Sequence, residues 1–110
     1  MSVLEEVLFE EYERANRIKK ALENELLELP KGSIQRKLIH NVECYYLVYR
    51  EGKKVKSKYI NTGRLDEYRS LINRRKENEE SLKQIKKSIK QIEKALGKDL
   101  IDEYTAKGVY

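Results

Sequence analysis

The sequence has one cysteine, one histidine and one proline, and its five glycines are scattered. A lone Cys44 forms no internal disulfide, which fits a reducing compartment. One histidine and one cysteine do not make up the ligand set of a metal site. A Cys44–His40 dyad needs a third, orienting group and a pocket, and the sequence offers neither. Scattered glycines build no phosphate-cradling loop. The acids of the N-terminal helix are spread around it, not paired in a cleft. The chain therefore reads as a non-enzyme, with no catalytic residue, metal or cofactor expected. Long apolar runs are missing too: none approaches the roughly 20 residues that cross a bilayer. The start, Met1-Ser2-Val3-Leu4-Glu5-Glu6, has no basic segment followed by an apolar one, so no secretory signal is expected. These absences together suggest a cytoplasmic protein that does not use a membrane.

What the sequence does have is charge, unevenly placed. The 110 residues carry a net charge of +5, yet Lys31 to Arg64 alone holds nine basic residues against Glu43 and Glu51. Residues 1–30 have eight acids and four bases. Concentration of positive charge on one segment points to a polyanionic partner. Leu, Ile, Val and Tyr are plentiful and periodic, so a folded single domain over 1–110 is expected, not disorder.

The period changes twice. Residues 3–29 place Leu4, Leu8, Ala15, Ile18, Leu22, Leu26 and Leu29 at spacings of three, four or seven, which predicts a helix. Ser2 and Glu5 form a capping box at its start, and Pro30-Lys31-Gly32 ends it. Residues 33–60 then read as an antiparallel β-meander: Ser33–Ile39, Glu43–Arg50 and Lys53–Ile60, with turns at His40-Asn41-Val42 and Glu51-Gly52. A second helix is predicted over 65–96, with Tyr68, Leu71, Leu82, Ile85, Ile89, Ile92 and Leu96 as its stripe. Arg75 and Asn78 interrupt that stripe, which predicts either an exposed stretch or a bend. Gly97 suits the C′ position. A short C-terminal helix or tail occupies 98–110, and Ala106–Tyr110 is expected to be loose. The fold class is α+β: two long antiparallel helices flanking a three-stranded antiparallel β-meander.

With Glu51-Gly52 as a two-residue loop, Arg50 pairs with Lys53, Tyr49 with Lys54, Leu47 with Lys56 and Tyr45 with Lys58. Alternation then separates two faces. Tyr45, Leu47, Tyr49, Lys54, Lys56 and Lys58 share one. Cys44, Tyr46, Val48, Val55, Ser57 and Tyr59 share the other, which is expected to face the core, with Cys44 a small buried residue. His40 is expected on the surface in its turn. Lysines at alternate strand positions with interleaved tyrosines suit phosphates and bases. The competing reading is a solvated edge strand whose lysines guard against aggregation. The basic residues of the second helix read as a solvated face with exposed ion pairs.

Three stretches carry a resemblance: Gly32-Ser33-Ile34-Gln35-Arg36-Lys37, then Tyr45-Tyr46-Leu47-Val48-Tyr49, then Gly52 through Thr62. Together, over about residues 32–75, they resemble the arm-type DNA-binding domain of phage and transposon integrases. The resemblance implies a three-stranded sheet in the major groove with a helix packed behind it. It implies Arg36, Tyr45, Tyr49, Lys54, Lys56 and Lys58 as nucleic-acid-binding residues. The chain has no room for a recombinase catalytic domain, and its helices exceed what such a module needs. It is also similar to small uncharacterised prokaryotic helix–meander–helix proteins. The expected function is a non-enzymatic nucleic-acid-binding protein of phage or mobile-element type, with DNA favoured over RNA. Two alternatives stand beside it. One is an inhibitor of a host defence nuclease, of anti-CRISPR type, whose partner is a nucleic-acid-processing protein. The other is a helical adaptor that self-associates, as a homodimer through its helices.

Overall fold

Caps and turns set the order of the elements. The computed structural model describes residues 2–106: α1 (Val3–Glu28), β1 (Ser33–Ile39), β2 (Val42–Glu51), β3 (Lys54–Ile60), a 3₁₀ turn (Thr62–Arg64), α2 (Leu65–Leu96) and α3 (Lys98–Ala106). This is the expected α+β architecture of two long antiparallel helices flanking a meander. The capping box is present, with Ser2 N–H donating to Glu5 Oε1 and Glu5 N–H to Ser2 Oγ, both at 3.2 Å. Gly97 ends α2 at φ +85°, a left-handed cap that a Cβ disfavours. Ala106 closes α3; the remainder of the tail, 107–110, lies outside the described residues.

Two compact units result, one from residues 2–25 and 79–106, the other Leu26–Asn78. The first is helical. Phe9, Tyr12 and Ala15 of α1 and Ile89 and Leu96 of α2 form its buried core, with Ile85, Ile92, Leu100, Ile101 and Tyr104 packed against it. The α2 stripe thus packs as its period predicts. The α1 stripe packs in part: Ala15 is buried and Leu8 packs against the core, but Leu4 is 69% exposed and Ile18 38%. Aromatic residues with partners displace them. The Phe9 ring stacks on Tyr104 at 4.0 Å between centroids. Tyr12 Oη donates to Glu93 Oε2 at 3.3 Å, and Tyr104 Oη donates to Glu13 Oε1.

The second unit holds the sheet, in order β1-β2-β3. Its first turn is His40-Asn41, both at positive φ (50° and 65°), the signs of a type I′ hairpin. The second turn is Gly52-Lys53, not Glu51-Gly52: Glu51 pairs with Lys54, Tyr49 with Lys56, Leu47 with Lys58 and Tyr45 with Ile60. Gly52, at φ +61°, takes the first central position, where a type II′ turn wants glycine. The register therefore differs from the expected one by two residues, and a shift of two leaves each residue on its own face.

The core side of the sheet is the reverse of the expectation. Leu47, Ile60, Leu65 and Ile72 are the buried cluster, with Ile34, Tyr45, Tyr49 and Tyr68 packed against it. The Tyr45–Leu47–Tyr49 face thus lies on α2, and the Cys44–Tyr46–Val48 face is the open one. The cause is parity. Ile34 pairs with Leu47 and Ile60 with Tyr45, so two isoleucines join the tyrosine face and outweigh Val48 and Val55. Val55 and Tyr59 are 65% and 57% exposed. Cys44 is accordingly half-buried, not a core residue.

Candidate nucleic-acid interface

The six residues singled out in the sequence fall into three environments. Lys54, Lys56 and Lys58 are exposed on β3, a sheet edge without an acidic residue. Lys56 Nζ lies 2.9 Å from Glu51 Oε2. Lys53, Lys54 and Lys58 have no ion-pair partner among the described residues.

Arg36 is exposed on the opposite edge strand, and its Nη1 lies 3.0 Å from Glu43 Oε1. The same carboxylate accepts from Tyr45 Oη at 3.1 Å. Arg36, Glu43 and Tyr45 are therefore one small network on the helix-side face. An Arg69 guanidinium stands 5.8 Å from the Tyr45 ring centre. Tyr45 and Tyr49 are half-buried against α2, which removes their ring faces from the open surface. Tyr49 and Lys58 do meet, with Pro30, Lys31 and Leu47, around an open hollow of about 340 Å³.

The open face has its own aromatic row, which the face assignment from sequence missed. Tyr46 and Tyr59 are directly cross-strand partners and meet edge to face, with centroids 5.7 Å apart and planes at 70°. Lys37 Nζ sits 5.1 Å from the Tyr46 ring centre. A cation and two aromatic rings thus share the open face, whereas the exposed β3 lysines have the opposite parity and leave the sheet edge on the helix side. The signal for this face was in the sequence: Ile60 shares the parity of Lys54, Lys56 and Lys58, so a buried Ile60 turns the tyrosines of the alternate parity outward.

The return from β3 into α2 is fixed by local pairing. Asn61 Oδ1 accepts from Gly63 N–H at 3.0 Å. Arg64 Nε donates to Glu67 Oε2 at 3.1 Å, which holds the Glu67 carboxyl below the usual carboxylate range and raises the Arg64 guanidinium further. Among the described residues no group of three or more His, Cys, Asp or Glu is arranged to hold a metal ion. No helix among them is long and apolar enough to cross a membrane.

Residues 10–70, more than half of the 110-residue chain, match the model of a family described as Domain of unknown function (DUF6788). The chain belongs to the DUF6788 family. The matched stretch takes in most of α1, the whole meander and the first turns of α2, so the sheet surface lies inside the DUF6788 region. No curated protein and no solved structure matches the chain.

Proposed function

We propose that this DUF6788 protein binds duplex DNA, with its three-stranded sheet as the contact surface and no catalytic step of its own. The observation that carries the reading is the edge strand β3. Lys54, Lys56 and Lys58 are exposed there without an acid on the strand, on the helix side of the sheet edge, while the open face on the other side bears Lys37, Tyr46 and Tyr59. The lysines supply phosphate neutralisation and the open face supplies contact with base edges or sugars.

Strand spacing supports the choice of DNA. Three strands at about 4.8 Å span roughly 10 Å between the outer two, which suits a B-form major groove about 12 Å wide. The A-form major groove of duplex RNA is too deep and narrow for such an element. A helix packed behind the sheet is also what the resemblance to integrase arm-type domains implies. The proposed contacts keep Arg36, Lys54, Lys56 and Lys58 for phosphates. They replace Tyr45 and Tyr49 with Tyr46 and Tyr59, because the former pair packs on α2.

The test is a salt titration of affinity for double- and single-stranded DNA and RNA. Duplex DNA should bind tightest, with the sheet contributing about −4 to −5 to the slope of log K against log salt for four to six neutralised phosphates. Lys54→Glu, Lys56→Glu and Lys58→Glu together should weaken binding, lower the magnitude of the salt slope and leave the circular dichroism spectrum unchanged. Absence of binding to every nucleic acid at 100 mM salt below roughly 10 μM, the middle of the ordinary nonspecific range, overturns the proposal and turns attention to a protein partner.

A further inference from the structure

We infer that α2 carries a second DNA-binding surface, a lysine ridge formed by Lys83, Lys87, Lys90 and Lys94. This inference extends the proposed function and rests on its choice of duplex DNA as ligand, but not on the sheet as the site. The four residues follow one another at spacings of four, three and four. At 3.6 residues per turn they fall within about 60° of one another on the helix. That sector is opposite the stripe of Ile85, Ile89 and Ile92 that packs in the helical core, and all four are exposed.

Their charges are not neutralised by ion pairs among the described residues. Sequence alone predicts a face laced with ion pairs, and α1 meets that description: Arg14 pairs with Glu11, Arg17 with Glu13 and Lys19 with Glu23. The lysines of the ridge have no ion-pair partner among the described residues. Glu93 and Asp102 line a hollow with Lys90 and Lys94, but two of the nearby acids have other partners. Glu93 accepts from Tyr12 in the core, and Glu80 accepts from Gln84 at 3.0 Å.

The ridge is about 17 Å long at 1.5 Å per residue. A duplex presents roughly one phosphate charge per 1.7 Å of axis, so a ridge of this length faces several phosphates at once. An anionic membrane is the weaker ligand, because an interfacial helix needs a free apolar face and the apolar face of α2 is already in the core. Aligned ammonium groups read phosphate without reading sequence, so the ridge should contribute affinity and salt dependence rather than base preference.

The experiment uses the full chain, a 20-base-pair mixed-sequence duplex and salt titrations of five proteins. They are wild type, Lys→Gln and Lys→Arg at the four ridge positions, Lys54→Glu/Lys56→Glu/Lys58→Glu, and a control, Arg14→Gln/Arg17→Gln/Lys19→Gln/Lys20→Gln. Gln keeps helix propensity close to that of Lys, and circular dichroism checks the fold of each. The ridge Gln variant should lower the magnitude of the salt slope by about 3 to 4, near 0.9 per lost contact. The Arg variant should keep the wild-type slope. The control, with the same change in net charge, should also keep it. An unchanged slope for the ridge Gln variant overturns the inference, as does an equal loss in the control, which would reduce the effect to net charge. Loss in the ridge variant with none in the β3 variant leaves the ridge standing and removes the sheet. Loss in the β3 variant alone does the reverse. Failure of the wild type to bind overturns both.

Discussion

Arg75 Nη1 donates to the backbone carbonyls of both Leu26, at 2.8 Å, and Leu29, at 2.9 Å. The last carbonyls of a helix have no partner within it, and here a guanidinium from α2 supplies one and places positive charge at the negative end of α1. The same residue that breaks the apolar stripe of α2 therefore caps α1. Arg75→Ala should cost about 1.5–3 kcal/mol, the range for hydrogen bonds to a charged group, read from urea unfolding with an unchanged m-value. Arg75→Lys should recover part of it. A loss under about 0.5 kcal/mol would mean the cap is incidental.

Gly32 lies at φ +112°, and a Cβ there would stand 2.2 Å from the Val48 carbonyl oxygen. That atom is backbone within the central strand and cannot move aside cheaply. Gly32→Ala should therefore destabilise by more than about 2 kcal/mol, combining positive-φ strain with the clash. Amide exchange should quicken across β1 and β2 in the same variant. Wild-type stability in Gly32→Ala would contradict the β1–β2 geometry.

Ile89, 8% exposed among Phe9, Tyr12 and Ala15, should cost about 2–4 kcal/mol when replaced by alanine. Leu4, 69% exposed, should cost under about 0.5 kcal/mol. Both are measured by chemical denaturation. The pair tests where the α1 stripe leaves the core, since the sequence period alone puts Leu4 in it.

Two carboxylates should titrate below the usual carboxylate range. The hydrogen bond from Ser2 lowers Glu5, and that from Arg64 lowers Glu67. A depressed folded-state pKa gives stabilisation that is complete above the unfolded value, about 4.3, and is lost as pH falls through the lower folded value. Carboxyl-carbon NMR titration should find both below the ordinary glutamate value. Arg64→Gln should return Glu67 to the ordinary range and leave Glu5 where it is; a Glu67 midpoint that does not move would contradict the pairing.

Elements and caps were legible because they are local. Ser2 and Glu5 are three residues apart, Gly97 follows the last periodic residue, and the strands announce themselves by alternation. The sheet's orientation was not local. It depends on which parity is buried, and that was decided by Ile34 and Ile60, one on a strand of unfixed register and the other at a strand end. The role of Arg75 was hidden for a similar reason: its acceptors are 46 and 49 residues away, and no period relates them. Tyr12 and Phe9 escaped the α1 stripe because their partners, Glu93 and Tyr104, lie more than 80 residues on. The consequence for function is specific: the β3 lysines stay exposed in either orientation, whereas the available tyrosines change from Tyr45 and Tyr49 to Tyr46 and Tyr59.

The most direct test of the central claim is NMR of the eight tyrosine rings, assigned by single Tyr→Phe variants, during titration with a duplex DNA. The Tyr46 and Tyr59 ring signals should shift together with the amides of Lys37, Lys54 and Lys58, while those of Tyr45 and Tyr49 hold their free positions. Shifts confined to Tyr45 and Tyr49, or an unperturbed sheet at saturating DNA, would contradict the account.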